Sequence, residues 1–264
     1  MSKFKAVYLI LIFLFSGMLS QSWVPSAKTE REFYQLTVYH FGNATQEKVI
    51  DNYLQNALLP ALHKINIKNV GVFKNRSNDT LTDKTMYVLM PVKSLEETLK
   101  ISSKLNSDKN YQATGAEYLD AVYTTAPYSR METILLYAFS LAPDLQLPKL
   151  NGPRKDRIYE LRSYESATEK IFKNKVHMFN EGDEIGLFKR LNFNANFYAE
   201  VVAGSKMPNL MYMTCHENKT VRDANWKNFV DDPYWKKLSK MPEYQHNVSH
   251  IDISFLYPTE YSDY

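Results

Sequence analysis

Eight polar side chains in the second half of the chain are the residues best suited to bind a ligand or to carry out acid–base chemistry. Most of them recur at alternate positions in short runs rich in Tyr, Val, Ile and Met, a pattern typical of strands. An arginine can hold an anion, a histidine can exchange a proton near neutral pH, and a tyrosine hydroxyl can donate or accept a hydrogen bond. The eight candidates are Glu160, Arg162, Tyr164, Tyr198, Tyr212, His216, His250 and Asp252.

Alternation along a strand sorts these residues onto faces, because successive side chains point to opposite sides of a sheet. Tyr159 and Leu161 share one face of the first run, and Ile251 and Ile253 share one face of the last. We expect these apolar faces to pack on helices and the polar faces to line the space between two sheets. The aligned positions of the first half are then Gln35, Thr37, Tyr39, Tyr87, Arg130 and Glu132.

Three interpretations of this polar set are open. Arg162 could form only an ion pair with Glu160 or Asp252, which would satisfy a half-buried interface. The set could instead bind a small ligand, or it could catalyse a reaction. No Gly-rich phosphate loop, Gly-x-Ser-x-Gly elbow or His-Glu-x-x-His motif occurs in the sequence. We therefore assign no catalytic residue and no cofactor from sequence.

The spacing of the histidines does not favour a metal site. His246 and His250 lie four residues apart in a predicted strand, about 13 Å at the strand rise per residue. His250 and Asp252 are about 6.6 Å apart by the same rise, with His216 or Glu160 as hypothetical third ligands. The only cysteine, Cys215, excludes an intrachain disulfide and a thiolate cluster. We predict that it is a buried strand thiol and that the protein holds no metal.

The predicted elements that position these side chains occur in two copies, because the sequence contains an internal repeat. The run Phe33–Tyr39 recurs 125 positions later as Ile158–Tyr164, and Lys84–Leu89 recurs at the same offset as Asn209–Thr214. Each copy predicts the order strand, helix, strand, strand, helix, strand, which is the ferredoxin-like plan. Hydroxyl-x-x-acid signals at 94–97, 166–169 and 220–223 predict helix starts. Asp232 and Pro233 predict a further helix start, and Pro60 predicts a bend.

Composition and the positions of prolines divide the chain into four segments. Lys3, Lys5 and the apolar run 6–15 indicate a signal peptide over residues 1–22, too short for a confident membrane span. We expect two domains, at 31–139 and 157–258, joined by a Pro-containing linker at 140–156. The chain is then exported, periplasmic or secreted, with no stable membrane span after cleavage.

Charge excludes one class of partner. Without Lys3 and Lys5 the 32 basic residues become 30, against 29 acidic ones. A near-neutral chain lacks the excess of basic residues that neutralises phosphates, so we expect no nucleic acid partner. Assembly of the chain into a homo-oligomer stays open.

Several runs of the second half resemble the NIPSNAP family. They are Tyr159–Tyr164, Trp226–Phe229, Asp232–Trp235 and His250–Ile253. In the first half the resemblance is weaker, since Asp108–Tyr111 replaces the Asp-Pro-Tyr-Trp run. The resemblance implies an α+β fold of the dimeric α+β barrel superfamily. Because the units are in tandem, we expect two ferredoxin-like (βαββαβ) domains packed sheet to sheet as an intramolecular barrel.

The resemblance supplies no agreed catalytic residues. NIPSNAP proteins are linked to vesicle trafficking and mitochondrial quality control, whereas the signal peptide predicts export. Our leading prediction is a non-enzymatic module that binds a small molecule or a protein. The alternative is a cofactor-independent monooxygenase or a haem-linked enzyme of the superfamily, with His216, His250 and Arg162 as its acid, base and anion-holding groups. Carbohydrate or cell-surface association is a third interpretation.

Overall fold

The computed structural model describes residues 30–264, so the predicted signal peptide lies outside the described residues. The strands are β1 (Phe33–Phe41), β2 (Gly71–Asn75), β3 (Lys84–Val92), β4 (Arg130–Ala138), β5 (Ile158–Glu165), β6 (Phe197–Ala203), β7 (Asn209–His216) and β8 (His250–Pro258). The helices are α1 (Ala44–Tyr53), α2 (Leu59–Lys64), α3 (Leu95–Asn106), α4 (Lys109–Thr114), α5 (Ala116–Leu119), α6 (Glu169–Asn180), α7 (Glu184–Arg190), α8 (Lys219–Asp231) and α9 (Pro233–Leu238). Within the described range, none of these helices has the length and apolar character needed to cross a membrane.

The eight strands close into one antiparallel barrel in the order β1-β3-β2-β8-β5-β7-β6-β4. Each half contributes a four-stranded sheet with the order 4-1-3-2 of a ferredoxin-like unit. The two sheets join where β2 pairs with β8 and where β4 pairs with β6. The predicted fold class is therefore confirmed: two tandem ferredoxin-like units form an intramolecular barrel.

Helix starts follow the predicted cap chemistry, with two shifts. Ser94 and Asp232 cap α3 and α9 through side-chain oxygens that accept backbone N–H groups. The cap of α6 is Thr168 rather than Ser166, whose hydroxyl donates instead to the Asn247 carbonyl at 2.7 Å. The cap of α8 is Asn218, two residues before the predicted signal.

The first long helix changes its pitch ahead of Pro60. A π-helical turn spans Leu54–Leu58 between α1 and α2, and the Leu59 N–H bonds to the Leu54 carbonyl, five residues back. Proline cannot donate a backbone hydrogen bond, so a local rearrangement of the helical ladder is its expected effect. The predicted bend is thus a wider helical turn.

Three apolar clusters among residues 30–264 hold the fold together. One fills the barrel interior and includes Tyr34, Leu36, Tyr159, Leu161 and Met213. The other two lie outside the barrel, each between one sheet and its own helices. Both faces of the central strand β5 are therefore covered along nearly its whole length, whereas Ile251 and Ile253 on the outer face of β8, which we expected to pack on helices, are exposed.

Candidate functional site

The structure reverses the predicted faces of β5. Tyr159 and Leu161 point into the barrel interior, whereas Glu160 and Arg162 point outward toward α8. Tyr164 also lies on the helix side. The prediction that the polar face of β5 lines the space between the sheets is wrong. The reason is that α8 supplies partners that satisfy these polar groups on the outside of the barrel.

Glu160 is the centre of this outer network and is fully buried. Arg162 Nε and Arg222 Nη2 each donate to Glu160 Oε1 at 2.7 Å, while Arg222 Nε and Trp226 Nε1 donate to Oε2 at 2.7 and 2.8 Å. The Arg162 guanidinium stacks 3.8 Å from the Trp226 ring centroid. The Glu160–Arg162 ion pair considered from sequence is confirmed, and the bonds that Arg222 and Trp226 of α8 donate to Glu160 anchor α8 to β5.

The electrostatics of the network keep Glu160 charged. Burial by itself raises the pKa of this carboxyl group, but the hydrogen bonds from Arg222 and the charges of Arg162 and Arg222 outweigh it. The net pKa of Glu160 lies below its usual value. Each carboxylate oxygen accepts two bonds, so Glu160 has no acceptor position left for a ligand.

The candidate tyrosines of the second half belong to the same outer layer. Arg162 Nη1 donates to the Tyr164 hydroxyl at 3.0 Å, and that hydroxyl lies 2.7 Å from the Tyr212 hydroxyl. Tyr198 stacks on Tyr212 with 5.7 Å between ring centroids. Burial raises the pKa of Tyr198 and of Tyr212, so both stay neutral. These three tyrosines form part of the sheet–helix core.

His216 also lies under the helices. It is 1% exposed, its Nε2 is 3.3 Å from the Thr214 hydroxyl, and its Nδ1 is 3.2 Å from Asn225 Nδ2. Burial lowers the pKa of His216 to about 4. A neutral, enclosed imidazole of this kind packs the core, and it is poorly placed to meet a substrate as a base.

His250 and Asp252 face the barrel interior as predicted, at one mouth of the barrel. His250 Nε2 is 3.2 Å from Asp252 Oδ1, and Lys206 binds Asp252 Oδ2. Although burial raises it, the pKa of Asp252 is lowered overall by the hydrogen bonds from Lys206 and His250. Of the eight candidates, only Asp252 lines the cavity between the sheets.

A cation could be held at this mouth. Glu165 pairs directly with His250 across β5 and β8, and donor atoms of Glu165, His250 and Asp252 all lie within 4.8 Å of one another. His216 and Glu160, the third ligands considered from sequence, lie on the other face of the sheet. Lys206 already neutralises one oxygen of Asp252. Exposed acidic and histidine side chains also lie close together at many protein surfaces where no metal is bound.

The cavity itself occupies about 260 Å³ at the barrel end where β1 and β5 finish. We call it the mouth cavity. Its apolar wall comes from both halves and consists of Leu36, Val38, Ile134, Leu161, Val201 and Met211. Its neutral polar side chains are Tyr87, Ser163, Ser205, Asn209 and Ser254. Sequence reasoning missed nearly all of these second-half residues, because it assigned the apolar face of Tyr159 and Leu161 to the helices and not to the barrel interior.

One polar atom near this wall lacks a partner. Asn209 is 3% exposed and its Nδ2 donates to Ser163 Oγ at 2.8 Å. Its Oδ1 is buried with no hydrogen-bond partner among residues 30–264. Leaving a buried acceptor unpaired costs about 1–3 kcal/mol, so a donor brought by a ligand would relieve a real penalty.

Charged side chains form the rim on the first-half side. His40 Nδ1 is 2.9 Å from Asp83 Oδ2, and its Nε2 is 3.1 Å from Arg130 Nη2. Glu132 accepts from Arg130 and is 3.4 Å from His40. His40, Arg130 and Glu132 all line the mouth cavity. His40 is thus held through both ring nitrogens by charged side chains at the edge of an apolar cavity.

The first-half positions aligned from sequence divide between the two faces. Tyr87, Arg130 and Glu132 line the mouth cavity. Three others lie on the helix side and line a second cavity of about 230 Å³: Gln35, Thr37 and Tyr39. Gln35, Thr37 and Tyr39 lie on the helix side for the same reason as their counterparts Glu160, Arg162 and Tyr164, because the faces of the first strand were reversed in the prediction. Tyr87 lies on the cavity side because the prediction aligned β3 with β7 one residue out of register.

That error is visible in the strand registers. Thr37 pairs with Val88, and its counterpart Arg162 pairs with Tyr212. The structural equivalent of Tyr212 is therefore Val88, not Tyr87, so the offset between the copies is 124 here. A shift of one residue moves a side chain to the other face.

The far end of the barrel is closed by aromatic rings. Phe73 lies 4.9 Å from Tyr159 and 5.2 Å from Tyr264, measured between ring centroids, and Tyr34 lies 5.4 Å from Phe197. All five side chains are buried. The mouth cavity therefore opens at one end of the barrel.

Comparison with known proteins identifies part of the chain. The NIPSNAP family model matches residues 159–263, which agrees with the weaker resemblance of the first half. A NIPSNAP-like domain protein from Burkholderia xenovorans is 16% identical, with a TM-score of 0.36. The match covers 40% of this chain and 89% of the Burkholderia chain. No curated protein matches the chain.

Two solved structures cover both halves. A candidate monooxygenase from Lactobacillus acidophilus is 10% identical, with a TM-score of 0.54 over 87% of this chain and 94% of its own. An anthrone oxidase-like protein is 8% identical, with a TM-score of 0.52 over 88% and 93%. At these identities the likeness shows the fold alone, and it is the whole two-unit barrel that is shared.

Proposed function

We propose, taking residues 159–263 as a NIPSNAP domain, that the protein is an exported binding protein that holds a small, mainly apolar molecule in the mouth cavity. The single observation that carries this proposal is a cavity of about 260 Å³ walled by apolar side chains from both halves. Apolar pockets with a few polar groups are the usual form of small-molecule sites. Export is supported by the basic and apolar residues at 3–15.

The polar groups of the cavity favour a ligand with one polar end. Ser163, Ser254 and the unpaired oxygen of Asn209 lie on the second-half side. Lys206 and Arg130 stand at the rim and would attract an anionic group, although each is already paired with a carboxylate. The apolar body of the ligand would lie between Leu161 and Ile134.

The test uses 8-anilinonaphthalene-1-sulfonate, a fluorescent molecule with an apolar body and an anionic end. Ser254→Phe places a ring in the cavity, so we expect it to weaken binding of this probe at least tenfold. Ile253→Phe is the matched control, because Ile253 is the next residue of β8 on the opposite face and is 44% exposed. Near-ultraviolet circular dichroism verifies that each variant is folded.

Equal binding by both variants would place the probe elsewhere, and no binding by the parent chain would remove the mouth cavity as a site. Isothermal titration of the same three proteins provides the affinities. A molecule captured from the expression host and identified by mass spectrometry would then replace the probe.

An oxidation reaction is the second candidate. It is favoured by the position of His40, whose Nδ1 is 2.9 Å from Asp83 and which lines the mouth cavity. Once a bound aromatic molecule displaced Arg130 from His40 Nε2, now 3.1 Å away, the His40–Asp83 pair could take a proton from an acidic C–H or O–H group of that molecule. Two proteins of the same fold are described as a candidate monooxygenase and an anthrone oxidase-like protein.

Anthrone is the probe for this activity. Its oxidation consumes one O₂ and yields anthraquinone and water, so no other reductant is needed. We expect oxygen uptake that His40→Ala abolishes and that His216→Gln leaves unchanged, because His216 lies outside the barrel. Uptake at the uncatalysed rate would remove this candidate and leave the binding function.

A further inference from the structure

The two halves differ most in the layer between sheet and helices. Strands β1 and β5 align with an offset of 125, and helices α3 and α8 begin at caps Ser94 and Asn218, an offset of 124. These offsets give each member of the Glu160 network a counterpart in the first half. Glu160, Arg162, Arg222 and Trp226 correspond to Gln35, Thr37, Thr98 and Ser102.

All four counterparts are smaller or uncharged, and all four line one cavity. In the second half the carboxylate, two guanidinium groups and an indole ring fill the layer, with Arg162 stacked 3.8 Å from the Trp226 ring. In the first half an open cavity of about 230 Å³ lies between the sheet and α3. We call it the tyrosine cavity because Tyr39, Tyr53, Tyr111 and Tyr118 also line it.

The tyrosine cavity is uncharged, and its lining mixes hydroxyl and amide groups with apolar side chains. The Tyr53 and Tyr111 hydroxyls are 2.7 Å apart, and the Tyr53 and Tyr118 rings stack with centroids 3.8 Å apart. Burial raises the pKa of each of these tyrosines, so the phenols remain neutral. No charged side chain occurs among the described residues that line the cavity.

We propose that the tyrosine cavity binds a neutral, hydroxyl-rich molecule of about monosaccharide size. A charged ligand would give up its hydration without meeting an opposite charge, which is unfavourable. Hydroxyl and amide groups of Gln35, Thr37 and Thr98 can donate and accept with such a molecule, and tyrosine rings offer flat apolar surfaces to its C–H groups. This site is independent of the mouth cavity, because the two lie on opposite faces of β1.

The test fills the tyrosine cavity with a side chain that the second half has at the equivalent position. Ser102→Trp introduces the indole of the second half at the equivalent position of α3. Its control is Ser103→Trp, one residue further along the same helix, where the residue is also exposed but does not line the cavity. The probe is D-glucose, followed by saturation-transfer difference NMR, with adenosine as a flat aromatic alternative.

We expect saturation transfer to glucose with the parent chain and with Ser103→Trp, and at least a tenfold loss of affinity with Ser102→Trp. Transfer that survives in Ser102→Trp would overturn the location, and no transfer to glucose, or transfer to adenosine alone, would overturn the ligand class. Should Ser102→Trp fail to fold, Gln35→Glu combined with Thr98→Arg rebuilds the filling as an ion pair instead. Binding of 8-anilinonaphthalene-1-sulfonate in the mouth cavity stays unchanged in all of these variants.

Discussion

The buried carboxylate of Glu160 provides a sharp test of the face assignment. Glu160→Gln keeps the shape of the side chain but removes its charge and exchanges one acceptor oxygen for a donor NH₂ group. Glu160 now accepts bonds from two arginines and from Trp226, at 2.7–2.8 Å. In the variant the Arg162 guanidinium, with its side chain 10% exposed, is left without a counter-charge.

The magnitude follows from the burial. Removing one partner of a buried ion pair costs about 3–5 kcal/mol, because the remaining charge is uncompensated. A surface carboxamide substitution changes stability by about 0.5 kcal/mol or less. We therefore expect Glu160→Gln to lower the free energy of unfolding by about 3–5 kcal/mol in urea denaturation at neutral pH. Glu165→Gln, at the half-buried end of the same strand, is the control and should change it by less than about 1 kcal/mol.

A second readout separates the two faces of β5. Because Glu160 points toward α8 and away from the mouth cavity, the folded fraction of Glu160→Gln should bind 8-anilinonaphthalene-1-sulfonate with the affinity of the parent chain. A loss of stability below about 1 kcal/mol would refute the anchoring role inferred from burial. A tenfold loss of probe affinity without loss of stability would refute the face assignment.

Three further predictions concern buried titratable groups. The pKa of His216 is about 4 in the folded chain and about 6.5 in the unfolded chain, so the unfolded chain binds a proton first as the pH falls. The free energy of unfolding should therefore drop by about 3 kcal/mol between pH 6.5 and pH 4. In urea titrations His216→Gln should remove that part of the pH dependence. Cys215 is fully buried and burial raises the pKa of its thiol, so 5,5′-dithiobis(2-nitrobenzoate) should react with it only at the rate of global unfolding; rapid labelling of the native chain would contradict its position in the barrel interior. Lys175 Nζ is 2.8 Å from Glu184 Oε2 with both residues buried, so Lys175→Met should cost about 3–5 kcal/mol in urea and Lys175→Met with Glu184→Gln should recover much of it; an additive double variant would show that the two groups are uncoupled.

The architecture could be predicted from sequence because the duplication is visible as repeated runs and because helix capping depends on neighbouring residues alone. The repeated runs at 33–39 and 158–164 determined that the two halves share one topology. Asp232 and Pro233 start α9 where their chemistry requires it. The order of strands in each sheet then followed from the ferredoxin-like plan.

The faces of β5 could not be predicted, because both are buried. Alternation distinguishes an apolar from a polar face only when one of them meets water. On the helix side, Glu160 is satisfied by Arg222 and Trp226, which lie more than 60 residues away in sequence. Tertiary partners of this kind leave no local pattern, so polar residues were assigned to the cavity.

The change in offset between the two copies also limited the prediction of which β3 residues line the mouth cavity. The offset is 125 for the first strands and 124 for β3, β7 and the helices that follow, according to the strand registers and helix caps. Sequence similarity around Tyr87 and Tyr212 favours the first value throughout. The pairing of β3 with Thr37 and of β7 with Arg162, together with the helix caps, reveals the one-residue shift.

The position of a bound molecule between the two sheets is the direct test of the proposed function. A crystal structure of the chain with 8-anilinonaphthalene-1-sulfonate should show the naphthalene ring between Leu161 of one half and Ile134 of the other, with the sulfonate near the rim. Probe density against Arg162 and Trp226 on the helix side would contradict it. An empty mouth cavity in a crystal soaked with saturating probe would also contradict it.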